Sequence, residues 1–217
     1  MKIDLHTHTL CSKDCRNQYE RIISAVRSAG LDGIAVTDHD EFRGAREMQR
    51  RAPFLVIPAE EIKTSAGEII GLFLQEWIPP GLAPLETVDR IREQGGVVYV
   101  PHPFDELRGS RLERSALEQI RPHIDILEVF NARNALPVFN SRALAYARQH
   151  NLLAGAGSDA HTYPEYGRAY VDIPAFGSAG EFLESMRQGS WKGRLSTPLV
   201  HFRTRFDRGM KVLGLAA

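Results

Sequence analysis

The sequence predicts an α/β fold with a mainly parallel sheet. Short, β-branched apolar runs recur along the 217 residues, and segments with helical spacing separate them. This alternation is typical of strand–helix units. Histidine and acidic residues follow directly after the apolar runs. Because short, right-handed connections place the carboxyl ends of parallel strands on one side of a sheet, we expect these polar residues to lie close together.

The first strand–helix unit begins at the amino end. Residues 2–5 have extended character and lead into a His-Thr-His motif. Successive side chains of a strand point to opposite faces, so His6 and His8 point to the same face, as two ligands of one metal ion would. Apolar residues then recur at helical spacing over 22–29, and Gly30 marks the end of this predicted helix.

Apolar runs predict eight more strands, and periodic segments predict five helices between them. The predicted strands cover residues 33–37, 54–57, 61–64, 68–74, 96–100, 125–129, 152–155 and 168–173. The predicted helices lie within residues 41–50, 85–94, 108–121, 138–150 and 179–187. Pro58 is expected to close the strand before it, and the segments on either side of 65–67 are expected to form a hairpin.

Candidate metal ligands lie at or directly after these strands. They are His6, His8, Asp38, His39, Asp40, Glu60, Glu61, His102, Glu128, Asp159 and His161. Neutral imidazoles and carboxylates suit zinc, manganese or iron(II). Cysteine is absent from these positions, with Cys11 and Cys15 only in a neighbouring loop, which argues against a structural zinc site. A carboxylate-rich cluster can hold two or three ions, which supply hydroxide at neutral pH and stabilise the oxygens of a phosphate ester during its displacement.

Composition limits the classes of function. The 27 lysine and arginine residues balance 27 aspartate and glutamate residues, so no overall positive field indicates a nucleic-acid partner. No apolar stretch reaches the roughly 18–20 residues that span a bilayer, and the charged amino-terminal strand predicts no cleavable signal peptide. The two cysteines are too few for a disulfide framework. We therefore expect a cytoplasmic protein with no membrane partner.

The last stretch of the chain is basic. Its charged residues are Lys192, Arg194, Arg203, Arg205, Asp207, Arg208 and Lys211. Apolar residues recur at helical spacing, namely Leu199, Phe202, Phe206, Met210 and Leu213. This pattern predicts a helix over about 197–213 that packs its apolar side on the body and exposes a basic face. We expect one domain over 1–217, with a catalytic body over about 1–190.

The ordered motifs resemble those of the polymerase and histidinol phosphatase (PHP) family of metal-dependent phosphoesterases. The matching segments are His6-Thr7-His8-Thr9, Ser12-Lys13-Asp14, Thr37-Asp38-His39-Asp40, Pro58-Ala59-Glu60-Glu61, His102-Pro103-Phe104, Glu128-Val129-Phe130-Asn131 and Gly157-Ser158-Asp159-Ala160-His161. No single segment is specific, but their order over residues 3–170 is. The resemblance implies a distorted (β/α)7 barrel with a trinuclear metal site at the carboxyl-terminal rim of the strands.

The resemblance also implies a ligand set for two or three divalent ions of zinc, manganese or iron. The first ion would be held by His6, His8, Glu61 and Asp159. Glu61 would bridge to a second ion, which His102 also binds, and the third ion would be held by Asp14, His39 and His161. Ala59 stands where the family usually has glycine, and Asn131 and its neighbours stand where some relatives have a further histidine. Glu128 therefore either completes the second ion or hydrogen-bonds a ligand from behind.

The function that these features predict is hydrolysis of a small phosphate ester, a nucleotide or metabolite, by a metal-bound hydroxide; the acid that protonates the leaving group is not identified. Arg16, Arg133 and Arg168 lie near the motifs and are candidates for binding the phosphate through paired hydrogen bonds. Three alternatives remain. The first is a 3′-5′ exonuclease or oligonucleotide-processing enzyme that uses the basic tail. The others are a non-catalytic module whose metal ions only stabilise a binding surface, and an amidohydrolase-like reaction at carbon.

Overall fold

Nine strands form one sheet in the computed structural model, which describes residues 1–197 and 199–212. The strands are β1 Lys2–Thr7, β2 Gly33–Val36, β3 Leu55–Thr64, β4 Gly67–Leu72, β5 Val97–Val100, β6 Ile126–Asn131, β7 Leu153–Gly157, β8 Ala169–Asp172 and β9 Ser190–Gly193. Their order in the sheet is β7-β6-β5-β4-β3-β2-β1-β8-β9.

Seven α-helices accompany the sheet within the described ranges. They are α1 Tyr19–Ser28, α2 Arg43–Arg51, α3 Pro84–Glu93, α4 Arg114–Ile120, α5 Pro137–Gln149, α6 Ala179–Gln188 and α7 Leu199–Val212. Each predicted helix is present within a few residues of its expected bounds. None of the described helices is long and apolar enough to span a membrane.

The sheet curves so that β1 approaches the residues that follow β7. Thr7 and Ala160 form a parallel bridge, and the backbone N–H of His8 donates to the carbonyl oxygen of Ala160 at 3.1 Å. The backbone N–H of Asp159 donates to the carbonyl oxygen of His6 at 2.8 Å. The result is a nearly closed barrel, and the predicted distorted barrel is confirmed.

Alternate residues of the strands divide the core into two layers. Ile57, Ile70, Tyr99 and Ile126 belong to an inner cluster together with Phe182 of α6. Their strand neighbours belong to an outer cluster with the apolar faces of α1 to α5, and examples are Val56, Ile69, Val98 and Leu127. Because side chains two apart share a face, three acids continue the inward-facing series at the rim of the barrel: Glu61 in β3, Glu68 in β4 and Glu128 in β6.

Strand directions differ from the prediction. Four neighbouring pairs are parallel and four are antiparallel, so the sheet is mixed rather than mainly parallel. The antiparallel pairs arise at the β3–β4–β5 segment and at β8 and β9. The β3–β4 link spans only two residues, and such a short link makes a hairpin, whereas a parallel pair needs a long crossover. Strand β9 was not predicted because its exposed Ser-Trp-Lys-Gly sequence has no apolar pattern.

Strand β3 is also longer than predicted. Pro58 does not close it, since the strand runs unbroken from Leu55 to Thr64. Residues 55–58 pair with β2 and residues 59–64 pair with β4, so Pro58 lies where the strand changes its partner. Proline lacks a backbone donor and is tolerated where a ladder is interrupted.

The terminal helix α7 docks through polar contacts. Of the predicted apolar contacts whose side chains the structure describes, that of Phe206 is wrong, since Phe206 is 58% exposed, whereas Met210 is half-buried. Instead, Lys211 Nζ donates to the carbonyl oxygens of Leu10 and Ser12, at 2.5 Å each. Part of the prediction lies outside the described residues: Pro198, Leu213, and the side chains of Leu199, Phe202, Arg203 and Arg205.

The approach of β1 to β7 leaves no room for a side chain at Gly157. A Cβ there would lie 2.3 Å from His6 Cβ and 2.8 Å from Glu128 Oε1. We predict that Gly157→Ala lowers the free energy of unfolding by about 1–3 kcal/mol through overpacking. At this chain length, each kcal/mol lowers the melting temperature by about 2–4 °C. Thermal unfolding followed by circular dichroism in EDTA measures this effect without metal.

Gly180→Ala in α6 is the matched control, because a Cβ at Gly180 would meet nothing within 4 Å. Alanine in a helix is expected to leave the melting temperature unchanged or to raise it. Equal melting temperatures for the two variants would contradict the claim that the β1–β7 approach depends on Gly157.

Candidate metal centre

Nine imidazole and carboxylate side chains converge at one rim of the barrel. They are His6, His8, Asp14, His39, Glu61, Glu68, His102, Asp159 and His161. Strands β1, β3 and β4 carry His6, Glu61 and Glu68, and the loops after β1, β2, β5 and β7 carry the other six. Glu68 was not among the candidates. Only Asp14 and His39 of the nine are more than slightly exposed.

The first group has the spacing of ligands around one ion. His6 Nε2 lies 3.3 Å from Glu61 Oε2 and 3.7 Å from Asp159 Oδ1. His8 Nε2 lies 3.5 Å from Glu61 Oε2 and 3.3 Å from Asp159 Oδ1. Tetrahedral ligands about 2.0–2.2 Å from one metal ion lie about 3.3–3.6 Å from one another. The four predicted ligands of the first ion therefore lie together.

Glu61 also contacts the second group. Its Oε1 lies 2.9 Å from His102 Nε2, whereas its Oε2 faces His6 and His8. His39 Nδ1 also lies 3.1 Å from Oε2, so one oxygen faces His102 and the other faces three histidines. This is the arrangement that a bridging carboxylate between two ions requires.

The third group lies toward the cavity. Asp14 Oδ1 lies 3.2 Å from His161 Nε2, and Asp14 Oδ2 lies 3.5 Å from His39 Nε2. The ring centroid of His8 lies 4.7 Å from that of His39 and 4.2 Å from that of His161, so this group is continuous with the first.

Glu68 joins the second and third groups. Its Oε2 lies 3.6 Å from His102 Nε2, and its Oε1 lies 3.5 Å from His39 Nδ1. Burial and the negative charge of Glu61 raise the pKa of the Glu68 carboxyl. The sequence does contain a signal for this residue, because Glu68 shares a strand face with the core residue Ile70. Burial of a carboxylate at an inward-facing strand position costs free energy unless a hydrogen bond or a cation compensates it.

Glu128 lies behind His6 rather than among the converging atoms. Its Oε1 lies 3.1 Å from His6 Nδ1 and accepts a hydrogen bond from the Tyr99 hydroxyl at 2.9 Å. Its Oε2 accepts from the backbone N–H of His102 at 2.7 Å and from Asn131 Nδ2 at 2.9 Å. Both oxygens are occupied, and a proton on His6 Nδ1 leaves Nε2 available to the first group. The contacts favour the hydrogen-bonding alternative for Glu128.

The neighbouring acids of the motifs have other partners. Glu60 Oε2 accepts a hydrogen bond from the backbone N–H of Ile78 at 3.0 Å, and burial raises the pKa of Glu60 to about 8. Asp38 accepts hydrogen bonds at 2.6 Å from the backbone N–H and from the hydroxyl of Thr9. Asp40 accepts from the backbone N–H of Lys63 at 2.8 Å. Of the two adjacent glutamates, only Glu61 reaches the histidines.

A cavity of about 470 Å³ opens beside the third group. Arg133 lines it, but Arg16 and Arg168 do not, so the structure does not support phosphate binding by these two. Arg168 donates to the carbonyl oxygens of Pro164 and Leu195, at 3.4 Å each. Arg16 Nη1 lies 3.7 Å from Asp207 Oδ1, in a neighbouring groove that His161 also lines.

Arg133 is largely engaged by the protein itself. Its Nη1 lies 2.7 Å from His161 Nδ1, and its Nη2 donates to Thr204 Oγ1 at 2.6 Å and to the carbonyl oxygen of Val200 at 3.2 Å. Its Nε lies 3.2 Å from Glu165 Oε1. Arg133 thus connects a candidate ligand to helix α7.

Arg108 is a cavity residue that sequence reasoning missed. It lies in the loop after β5, outside every motif, and its Nη1 lies 2.8 Å from Asp159 Oδ2. Burial opposes ionisation of Asp159, but the charge of Arg108 is the largest of the effects that outweigh it, and the pKa of Asp159 lies well below its ordinary value. Burial and the neighbouring His161 hold the pKa of His8 well below its ordinary value. Burial also opposes ionisation of His6 and His39, but the charge of Glu61 outweighs it and raises the pKa of both imidazoles.

Buried polar atoms test whether this rim fits a metal ion. His8 Nε2, Asp159 Oδ1 and Glu68 Oε2 are buried and have no hydrogen-bond partner among the described residues. Each buried polar atom without a hydrogen-bond partner lowers the free energy of unfolding by about 1–3 kcal/mol. All three belong to the converging groups, and a divalent cation would satisfy them. The donor set of imidazoles and carboxylates fits zinc, manganese or iron(II).

Comparison with known proteins identifies the family. A family model described as the PHP domain matches residues 4–73, and one described as PHP-associated matches residues 137–191. An uncharacterized protein of Methanocaldococcus jannaschii is 37% identical over 174 residues, which are 79% of this chain and 70% of the relative. A second uncharacterized protein of the same organism is 35% identical over 157 residues, which are 66% of this chain and 90% of that relative. The chain belongs to the PHP family.

Solved structures share the fold of this PHP protein at low sequence identity. PsfC from Pseudomonas syringae PB-5123 has a TM-score of 0.72 and 19% identity, covering 97% of this chain and 98% of its own. An amidohydrolase from Chromobacterium violaceum, with bound sulfate and no metal, has a TM-score of 0.64 and 17% identity over 86% and 97% of the chains. A proposed metal-dependent phosphoesterase from Bifidobacterium adolescentis has a TM-score of 0.59 and 19% identity over 75% and 88%.

The two adjacent glutamates provide a direct test of metal binding. We predict that Glu61→Gln loses at least one equivalent of bound manganese or zinc and weakens the remaining binding by at least about 100-fold, because both oxygens of Glu61 face histidines. Glu60→Gln is the control, since its carboxyl faces Ile78. Elemental analysis and isothermal titration calorimetry measure both quantities. Equal losses in the two variants would contradict the assignment.

Proposed function

We propose that this PHP protein is a metal-dependent hydrolase of small phosphate esters. The observation that carries the proposal is the Glu61 carboxylate, one oxygen of which faces His102 while the other faces His6, His8 and His39. Such a carboxylate suits a polynuclear centre, and polynuclear centres are well suited to displacement at phosphorus.

The residues would divide among three ions. His6, His8, Glu61 and Asp159 would hold the first. His102 would hold the second together with Glu61 and Glu68. Asn131 is unsuited to this role because its Oδ1 accepts from the backbone N–H of Arg133 at 2.8 Å, while its Nδ2 donates to Glu128 and Asp159. Asp14, His39 and His161 would hold the third. When bound, the ions would act as Lewis acids toward a phosphoryl oxygen and toward water.

Protein groups behind the centre fix its geometry. Glu128 accepts from Tyr99 and holds the His6 ring so that Nε2 faces the first group. The carbonyl oxygen of Asp159 lies 2.8 Å from His161 Nδ1, and a proton on that nitrogen leaves Nε2 available to the third group. The ligands would therefore be positioned before substrate binds, which is what electrostatic stabilisation of a transition state requires.

Arg108 is the cationic group best placed to face a phosphoryl oxygen. It lines the cavity, and its Nε lies 3.5 Å from Asp105 Oδ2 while its Nη1 contacts Asp159. Burial would lower the pKa of Arg108, but the charges of Asp159 and Glu61 outweigh it, so this pKa is raised. A guanidinium held in place by two carboxylates can stabilise charge that develops on the substrate.

The size of the cavity supports a small substrate. Its volume of about 470 Å³ is within the range of pockets that hold small molecules. Helix α7 forms one wall through Thr204 and Arg208. A nucleotide or a metabolite phosphate is therefore favoured over a long nucleic acid.

Hydrolysis of p-nitrophenyl phosphate and of its bis-ester tests the proposal. We predict activity after reconstitution with manganese, zinc or iron(II), and a loss of at least about 100-fold in kcat/KM in His8→Ala and Asp159→Asn, because each change removes a ligand of the first ion. His123→Ala is the control, since His123 is exposed and lies outside the site. Unchanged activity in His8→Ala, or metal-loaded protein that hydrolyses neither ester, would contradict the proposal.

A further inference from the structure

Five basic side chains line the cavity beside the candidate metal centre. They are Lys13, Lys63, Arg108, Arg133 and Arg208. Three of them have carboxylate partners: Lys13 Nζ lies 3.5 Å from Asp40, Arg108 contacts Asp105 and Asp159, and Arg133 contacts Glu165. Lys63 and Arg208 are exposed, and neither has a carboxylate within 4.0 Å among the described residues.

The two unpaired cations come from different elements. Lys63 is in the last part of β3, two residues beyond Glu61, and Arg208 is in helix α7. The acids that line the same cavity do not balance them, because Asp14 and Glu68 face histidines and Asp105 faces Arg108. The cavity therefore has positive charge that the metal ligands do not use.

Contacts on both sides of Arg208 keep α7 against the cavity. Thr204, one turn earlier, accepts a hydrogen bond from the buried Arg133, and Lys211, one turn later, donates to the loop that carries Asp14. The guanidinium of Arg208 is thus attached to a helix that is fixed at the rim. The backbone at Arg208 is therefore already in place, so binding of an anion would order only the exposed side chain and not the helix.

We propose that Lys63 and Arg208 form a second anion subsite, which binds a carboxylate or phosphate group of the substrate other than the phosphate ester that is hydrolysed. The substrate class is therefore a small molecule with two anionic groups. This inference rests on the proposed function, because the same cavity leads to the candidate metal ligands Asp14, His39 and His161.

Binding of ω-phosphonoalkanoates with four to seven carbons tests this subsite without catalysis. Each acid is compared with its ω-amide, which has the same length and lacks the second charge. We predict that metal-loaded protein binds the best acid of the series about ten-fold more tightly than its amide, measured by isothermal titration calorimetry. Arg208→Gln and Lys63→Gln should each remove most of this preference and leave the affinity for the amide unchanged, because the charge-assisted contact is lost while the phosphonate still faces the metal ions.

Arg148→Gln is the matched control, since Arg148 lies on α5 at a different surface groove. Lys63→Gln keeps the test valid if Arg208→Gln disturbs α7. Equal binding of acid and amide by the wild-type protein, no binding of any acid, or a preference that survives both substitutions would overturn the proposal. Ester hydrolysis with no acid preference refutes the subsite alone, whereas an acid preference without ester hydrolysis supports the subsite and refutes the proposed function.

Discussion

The carboxylate of Glu61 is the contact on which the rest of the rim depends. Its two oxygens lie within 2.9–3.5 Å of imidazole nitrogens from strand β1, from the residue that follows it and from the loop after β5. Burying this charge together with Glu68 and Asp159 is unfavourable unless cations or hydrogen bonds compensate. The orphaned atoms of His8, Asp159 and Glu68 show that the described protein groups do not compensate fully. The fold therefore holds an arrangement that divalent ions would complete.

The barrel provides this arrangement through the alternation of its strands. Inward-facing strand positions carry apolar residues inside the barrel and acidic residues at its rim. Ile57 and Glu61 in β3 illustrate the two cases. Closure of the sheet brings His6 and Asp159 together through a backbone hydrogen bond of 2.8 Å. Glycine at position 157 permits this approach. The packing that closes the barrel is thus the same packing that assembles the first group of ligands.

Much of the fold and of the site could be predicted from the sequence, because strand alternation and strand ends are local patterns. Other features depend on contacts between distant segments. Arg16 lies close to a motif along the chain but does not line the cavity, whereas Arg108 lies outside every motif and does line it. Glu68 was missed because its partners come from other strands, although strand alternation alone places it at an inward-facing position. The continuation of β3 through Pro58 depends on a change of strand partner, which no local pattern encodes.

Anomalous diffraction from crystals of manganese-loaded protein tests the central claim most directly. Data collected above the manganese absorption edge would place each ion without reference to activity. The account predicts peaks at this rim, one of them among His6, His8, Glu61 and Asp159, with the Glu61 carboxylate contacting two ions. Peaks elsewhere on the protein, or a rim where Glu61 contacts no ion, would contradict it.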